Sequence, residues 1–424
     1  MSEPNIPILP ENAELQYLGE GAANIVYRIS IPQPQPSTPP PTELDEYGEG
    51  TPPPSEIEFN QNRRDLGVFE TPTDKLLRLR KDLPTTFPCL HAQSTWTRLI
   101  SPLFQPSQLV SQSLVSLHPG SYNHITTLND SLLAWENGLS STPPTAISTS
   151  SRPPKRHGTY LANDPHGLLV TDMSGSGVVQ FKPKWLAQSP SAPRGARRCR
   201  QCALVARKAF LSLSSSSSKS QKVNPGEEET PATSALTFCP LDLLSTDKEI
   251  IRKVAECIIL SQNTAATTTN SNTHTNSNAS QEKEILALTD WISTTSSLKR
   301  LRDVQLAMDK HGILAAEAPA SEELRVAMTV RDCSVFVRLN LEGDLTIGSG
   351  ESQKRVGEGG GDGLGGNGKR EEEELEARIG DLDVKSPEKL GYWKETERVL
   401  VEEGWYAGRV EEGWSNTCLL GREL

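Results

Sequence analysis

The sequence predicts an α+β protein whose folded core is divided by low-complexity insertions, and three observations carry that prediction. Short apolar runs of strand character recur at residues 15–29, 75–79, 167–172 and 178–182. Helical apolar spacing dominates much of the second half, as in Ile250, Ile251, Val254, Ala255, Ile258 and Ile259. Tracts rich in Pro, Ser, Thr, Asn, Gly or Glu lie between these segments. With 31 Pro, 31 Gly, 35% hydrophobic and 5% aromatic residues in 424, the folded part is smaller than the chain.

Residues 15–29 read as strand, tight glycine turn and strand, and the next strand follows at Lys75 only after a Pro, Thr and Glu insertion near 32–64. Residues 81–139 read as mostly helical pieces broken by Pro88, Pro102 and Pro106. A polar linker at 140–154 precedes the strand 167–172, and the small-residue turn Ser174-Gly175-Ser176-Gly177 after it is a natural passage between two lobes, giving domains 1–174 and 175–424. In the second domain, Ser-rich residues 212–220 read as a loop within an insertion near 211–235. Thr246-Asp247-Lys248-Glu249 has capping-box form ahead of a helix. An insertion near 262–280 leads to further helix at 284–308, strands at 326–339, an insertion near 348–374 and a final ordered segment.

The formal charge of -11 disfavours a general nucleic-acid binder, because duplex binding requires a broad basic surface. No apolar run is long enough to span a membrane, and the first residues lack signal character, so the expectation is a soluble intracellular chain with no membrane partner. Seven cysteines in no regular framework suit reduced thiols. Cys199 and Cys202 have zinc-ligand spacing, but with no second pair at a finger-like distance the reading is ordinary reduced cysteines. None of the seven histidines has a partner at ligand spacing.

Four segments carry possible chemistry. Gly19-Glu20-Gly21-Ala22-Ala23-Asn24 joins two strands with side chains small enough for backbone amides to approach phosphate, although a plain hairpin turn has the same composition. Lys182 and Lys184 flank Pro183, which favours extended backbone and places both ammonium groups on one side; a solvated basic strand end is the alternative. Asp332 lies within an apolar stretch and needs either a partner, such as Arg331, or a role in accepting a proton from an attacking hydroxyl. Asp381 and Asp383 alternate in a strand-like segment, which suits a magnesium ion on nucleotide phosphates or a solvated acidic loop. Ser386-Pro387 then has the form of a helix start.

Taken in order, these segments together with Leu77-Arg78-Leu79-Arg80-Lys81, Leu169-Val170-Thr171-Asp172-Met173-Ser174, Pro240-Leu241-Asp242-Leu243 and Met328-Thr329-Val330-Arg331-Asp332-Cys333-Ser334 resemble the motif series of inositol-pentakisphosphate 2-kinases. The resemblance implies a two-lobed inositol-polyphosphate kinase fold, distantly similar to protein kinases, with residues 1–174 as the ATP-binding lobe and 175–424 as the lobe for inositol phosphate and metal. It implies that Gly19, Glu20, Gly21, Ala22, Ala23 and Asn24 cover the nucleotide phosphates, that Arg78 reaches them, and that Asp172, Met173 and Ser174 form the hinge beside adenine. Asp332 becomes the catalytic carboxylate, Asp381 and Asp383 the metal carboxylates, and Lys182, Lys184, Lys385 and Lys389 ligands of substrate phosphates, with Arg156 and Arg200 as further substrate candidates. Where the family has Cys-Arg-Phe-Cys-Met-His-Gln, this chain has Cys199-Arg200-Gln201-Cys202-Ala203-Leu204-Val205.

The implied reaction uses ATP and Mg2+ to phosphorylate the 2-hydroxyl of inositol pentakisphosphate, in a monomer of the nucleus or cytoplasm. A catalytically inactive inositol-phosphate-binding protein of the same fold is the alternative. A protein-substrate kinase is disfavoured, because the His-Arg-Asp and Asp-Phe-Gly motifs are absent.

Overall fold

The structure is a computed structural model that describes residues 6–32, 74–117, 124–139, 152–175, 177–217, 238–267, 278–339, 375–408 and 418–422. The insertions expected at 32–64 and 348–374 and most of the 140–154 linker lie outside the described residues. Two other expected insertions begin or end inside helices: the serine tract continues a helix to Ser217, and the Asn and Thr tract is entered by one helix to Thr267 and left by another from Asn278. Serine, threonine and asparagine lower helix propensity by only tenths of a kcal/mol, which an amphipathic helix already under way tolerates.

The first sheet has five antiparallel strands: β1 (Glu14–Glu20), β2 (Asn24–Ser30), β3 (Lys75–Arg80), β4 (Gln112–Ser116) and β5 (His166–Thr171), in the order β1-β2-β3-β5-β4. Its central strands are buried on both faces. Ile25, Tyr27, Leu77, Leu79 and Leu169 pack with Trp135 and Leu132 of a helix, His124–Glu136, whereas Leu76, Leu168 and Val170 pack with Cys89 at the start of another, Cys89–Leu99. Strand alternation divides the two sets, and burial of both explains why these strands read as continuous apolar runs. Strand β4 lies in the region expected to be mostly helical; five residues with two serines and a glutamine give little apolar signal, and pairing with β5 decides their state.

Gly167 sits where a Cβ would come within 2.8 Å of Leu77 Cδ1 and 2.9 Å of Leu79 Cδ2. A Gly167→Val variant is expected to lose about 1–3 kcal/mol of stability through overpacking; chemical denaturation with an unchanged midpoint would refute this.

The second sheet is β6 (Val178–Phe181), β7 (Ser334–Arg338) and β8 (Ala377–Gly380), antiparallel in that order. It is covered by helices carrying Ile251, Val254 and Ile258 (Lys248–Thr267), Leu288 and Trp291 (Asn278–Thr294), Leu298 and Leu301 (Ser296–Met308) and Val326 and Val330 (Glu322–Val330). Thr295 caps the third of these through Ser297 N–H, which divides the single expected helix at 284–308 into two. Residues 326–330, expected as strand, close a helix capped by Ser321. Every residue of that stretch is buried, so no amphipathic period was visible. The two sheets meet where Val110 N–H donates to the Ile379 carbonyl at 2.9 Å and Gly380 passes close to Val110.

Candidate functional site

Antiparallel topology gathers the candidate residues at one end of the second sheet. Strand β6 ends at Phe181 and delivers Lys182 and Lys184; β7 begins at Ser334, just after Asp332; β8 ends at Gly380 and delivers Asp381 and Asp383. Three segments remote from one another in sequence, the first two 150 residues apart from Lys182 to Asp332, therefore share one edge.

Asp332 is the centre of the cluster. Its Oδ1 accepts from Lys184 Nζ at 3.0 Å and its Oδ2 from Lys385 Nζ at 2.8 Å, while Lys182 Nζ donates to the Asp332 carbonyl at 2.8 Å and lies 3.7 Å from Oδ1. Partial burial opposes ionisation, but Lys385, then Lys184 and Lys182, outweigh it and hold the carboxyl well below the usual carboxylate range. Asp332 does not pair with Arg331 in the way its neighbour in sequence could have. Arg331 turns into the core, pairs with Asp309 at 2.6 Å and lies 3.6 Å from the Trp185 ring centroid.

The lysines are positioned by their backbones. Lys182 and Lys184 do bring both ammonium groups to Asp332 Oδ1, as expected, but through a turn and not by strand alternation, because the chain leaves β6 at Phe181 and Lys184 has φ +59°. Gln305, almost fully buried, fixes that turn by donating to the Lys184 carbonyl and accepting from Leu186 N–H, both at 2.9 Å. Lys385 is held on both sides: its N–H donates to Thr329 Oγ1 and its carbonyl accepts from Arg325 Nε. Ser386 caps the following turn Pro387–Lys389 through Glu388 N–H, as its sequence form predicted, and the helix Leu390–Glu402 continues from it. Lys389 at that helix start is shifted below the ordinary lysine range by burial and then by Lys385, and it makes no ion pair among the described residues. Three ammonium groups thus lie within 4 Å of the carboxylates of Asp332 and Asp381, with Lys389 in electrostatic reach of Asp332, an excess of positive charge in an acidic chain.

Asp381 and Asp383 separate. Asp381 has φ +57°, so the strand alternation expected to align them fails. Asp381 Oδ2 accepts a short hydrogen bond from Ser334 and lies 3.8 Å from Lys182 Nζ. Asp383 accepts from Asn24 Nδ2 and Arg78 Nη2, both at 2.9 Å, and so ties the glycine turn and β3 to the segment after β8. Both its oxygens are engaged, one by a cation, whereas only one oxygen of half-exposed Asp381 is engaged. A divalent cation therefore fits Asp381 better than the expected pair. Arg78 is mostly buried and its Nε has no partner, an orphaned donor beside the glycine turn that an anionic ligand would satisfy.

The glycine turn is tight, with Gly21 N–H donating to the Asn24 carbonyl, and its tip at Gly21 and Ala22 is exposed. Glu20 departs from the expected role. Its carboxylate points into the protein, 2.5 Å from Lys81 Nζ and 2.9 Å from Arg152 Nε; Arg152 also pairs with Glu136, and Lys81 donates to the Gly21 carbonyl. Glu20 is thus a buried anchor under the turn. Sequence reading missed Lys81, Arg152 and Glu136, because buried charges signal themselves only through partners distant in the chain. Burial raises the Glu20 pKa, but hydrogen bonds from Arg152 and Lys81 hold it below its ordinary 4.5, and Glu136 is lowered likewise.

Asp172, Met173 and Ser174 follow β5, where Asp172 N–H donates to the Asp74 carbonyl and Ser174 N–H to the Asp172 carboxylate. These amides are engaged within the protein, and Met173 is buried. Arg156 lies on the turn Pro154–Arg156 and acts electrostatically on Lys81 and Tyr17, beside the Glu20 network and not within the lysine cluster. Arg200 also departs from its expected role: it is buried, pairs with Glu397 at 2.6 Å and lies 4.4 Å from the Trp185 ring. Arg200 and Arg331 both pack against the tryptophan that follows Lys184, so they position the cluster from below.

A carboxylate ringed by lysines, joined through Asp383 to a glycine turn and an arginine with an open donor, is the equipment of a phosphotransferase acting on a polyanion. A sequence model of the inositol-pentakisphosphate 2-kinase family matches residues 17–399, and the chain belongs to that family of kinases. It is 26% identical over 355 residues to the inositol-pentakisphosphate 2-kinase of Yarrowia lipolytica, covering 82% of this chain and 89% of that protein. Family membership implies ATP as phosphoryl donor.

Proposed function

We propose that the protein transfers the γ-phosphoryl group of ATP, as its magnesium complex, to the axial 2-hydroxyl of inositol 1,3,4,5,6-pentakisphosphate, giving inositol hexakisphosphate. The observation that carries this reading is the convergence of Lys182, Lys184 and Lys385 on Asp332. In this reading the chain is two-lobed, with ATP beneath the glycine turn against Arg78 and the inositol phosphate on the lysine cluster. A loose phosphoryl-transfer transition state depends on in-line positioning and charge stabilisation.

The lysines turn from Asp332 to substrate phosphates. Losing these partners raises the carboxylate's basicity in the occupied site, where it orients the hydroxyl and accepts its proton as oxygen attacks the γ-phosphorus and ADP leaves. Asp381 would hold Mg2+, which would neutralise charge on the transferring group; Asp383 ties the glycine turn and Arg78 to the segment that carries Asp381.

The test is incubation with labelled ATP and a panel of inositol phosphates, with the phosphorylated position identified. Labelling of inositol 1,3,4,5,6-pentakisphosphate at the 2-position is expected; labelling at another position, or none, overturns the reading. Lys182→Ala and Lys184→Ala are each expected to raise the inositol-phosphate KM about 10-fold or more, from the loss of a charge-assisted hydrogen bond, with little change in the ATP KM. Equal rises for both substrates would point to a fold defect.

A further inference from the structure

Trp185 follows Lys184 and is almost fully buried. It belongs to an apolar cluster with Leu324 and Met328 of the helix Glu322–Val330 and with Leu390 and Trp393 of the helix Leu390–Glu402. The first of these helices grips Lys385 through Arg325 and Thr329 and ends just before Arg331 and Asp332; the second begins just after Lys389. One cluster therefore lies against every segment that delivers a lysine or Asp332 to the site.

This indole does more than fill space. The Arg331 guanidinium lies 3.6 Å and the Arg200 guanidinium 4.4 Å from its ring centroid. Both arginines are buried, and each pairs with one carboxylate at 2.6 Å, Arg331 with Asp309 and Arg200 with Glu397. Arg331 Nε is buried without a hydrogen-bond partner among the described residues. A buried guanidinium short of acceptors is stabilised by the electron-rich face of an aromatic ring, and tryptophan offers the best such face. The ring thus stands in for the acceptor that Arg331 lacks.

The stack also joins the two ends of the ion pair at the centre of the site. Trp185 is the residue after Lys184 and Arg331 the residue before Asp332, and Lys184 Nζ meets Asp332 Oδ1 at 3.0 Å. Two segments 148 residues apart are therefore tied twice, in the core by ring and cation and at the site by ammonium and carboxylate. Lys184 has φ +59°, a backbone conformation that persists only where its surroundings over-determine it. The Gln305 amide holds the turn at the Lys184 carbonyl and at Leu186 N–H, and the buried indole between those contacts is its other anchor.

We propose that Trp185 is a positioning residue for phosphoryl transfer: the Arg331 stack on its indole sets the register between the Lys182–Lys184 turn and Asp332, and with it the placement of the acceptor hydroxyl. The inference rests on the reading of Asp332 and the lysines as the acceptor site. Trp185 and Arg331 touch no substrate; they act through Lys184 and Asp332.

The experiment is kinetics of the full-length protein with ATP and inositol 1,3,4,5,6-pentakisphosphate. Trp185→Leu keeps an apolar side chain and removes the aromatic face. It is expected to lower kcat about 10²-fold, the effect of misplacing a reacting group by about 1 Å, with the ATP KM changed less than about 2-fold. Trp185→Phe, which restores a face for the cation, should recover kcat to within about 5-fold of wild type. Asp332→Asn and the double variant Trp185→Leu/Asp332→Asn, compared in single turnovers at saturating inositol phosphate, should differ less than about 3-fold, because a device that works through Asp332 then has nothing to position.

The inference is overturned by a folded Trp185→Leu protein with kcat within about 3-fold of wild type, or by equal losses in the Leu and Phe variants. An undiminished loss in the Asp332→Asn background overturns it as well, since Trp185 would then be structural. Arg331→Lys keeps a cation for Asp309 and removes the planar stack; the same kcat loss is expected, a kcat near wild type overturns the inference, and this variant decides where Trp185→Leu does not fold. Wild-type turnover by Asp332→Asn alone is a different failure: it removes Asp332 from the reaction, and the inference falls with the reading it rests on.

Discussion

An Asp332→Asn variant is expected to lose about 10³-fold in kcat, within the range by which a positioned acid or base accelerates a reaction, while still binding the inositol phosphate. The substitution keeps the shape of the side chain and removes its charge. Lys182, Lys184 and Lys385 then lose the internal anion that they neutralise, so the polyanion should bind as tightly as to the wild type or more so. Binding by calorimetry and turnover under single-turnover conditions separate the two quantities. Turnover within a few-fold of wild type would remove Asp332 from the mechanism, and parallel loss of binding would show that it is structural. Because the lysines hold the carboxyl so far below the usual range, the free enzyme should show no loss of kcat/KM attributable to this group between pH 7 and about pH 5.

An Arg152→Met variant is expected to lose about 3–5 kcal/mol of folding stability, the cost of leaving buried carboxylates without their cation. Arg152 is fully buried and pairs with Glu20 and Glu136, with Lys81 as the only other cation contacting Glu20 among the described residues. The pH dependence gives the sign. Glu20 and Glu136 are depressed in the folded state, so they contribute stability above the ordinary glutamate pKa of 4.5, and this is lost as pH falls through their folded values. The deficit of the variant should therefore be greatest near neutrality and shrink under acid conditions. Denaturation midpoints at several pH values measure this; a deficit independent of pH would mean that packing, not charge, makes Arg152 important.

The site was legible in sequence where its logic is local. The Lys182 and Lys184 pair, Asp332 within an apolar stretch, Lys385 and the Ser386 cap could each be found within a window of a few residues, and the topology of β6, β7 and β8 brings them together. It was illegible where the deciding partner is remote. Arg331 and Asp332 are adjacent, yet one pairs with Asp309 in the core and the other faces the lysines, a division made by the end of a helix at Val330. Glu20 sits in a motif that suggests phosphate contact, but its direction is set by Lys81 and Arg152. The extended backbone expected at Lys182 and Lys184 and at Asp381 and Asp383 gives way to positive φ at Lys184 and Asp381; the two lysines still meet at Asp332, whereas the two aspartates part.

If the lysines receive the substrate phosphates as proposed, their pairing with carboxylates also sets a threshold. An incoming anion must outcompete counter-anions that are covalently part of the receptor, held at 2.8 to 3.0 Å from two of the ammonium groups. A ligand with one phosphate exchanges one contact for another and gains little, whereas a ring bearing many phosphates engages several lysines at once and keeps the surplus. On that reading, built-in counter-anions would work as a filter on charge number, tuning the receptor toward crowded polyanions and away from the orthophosphate and simple monoesters that surround it in solution.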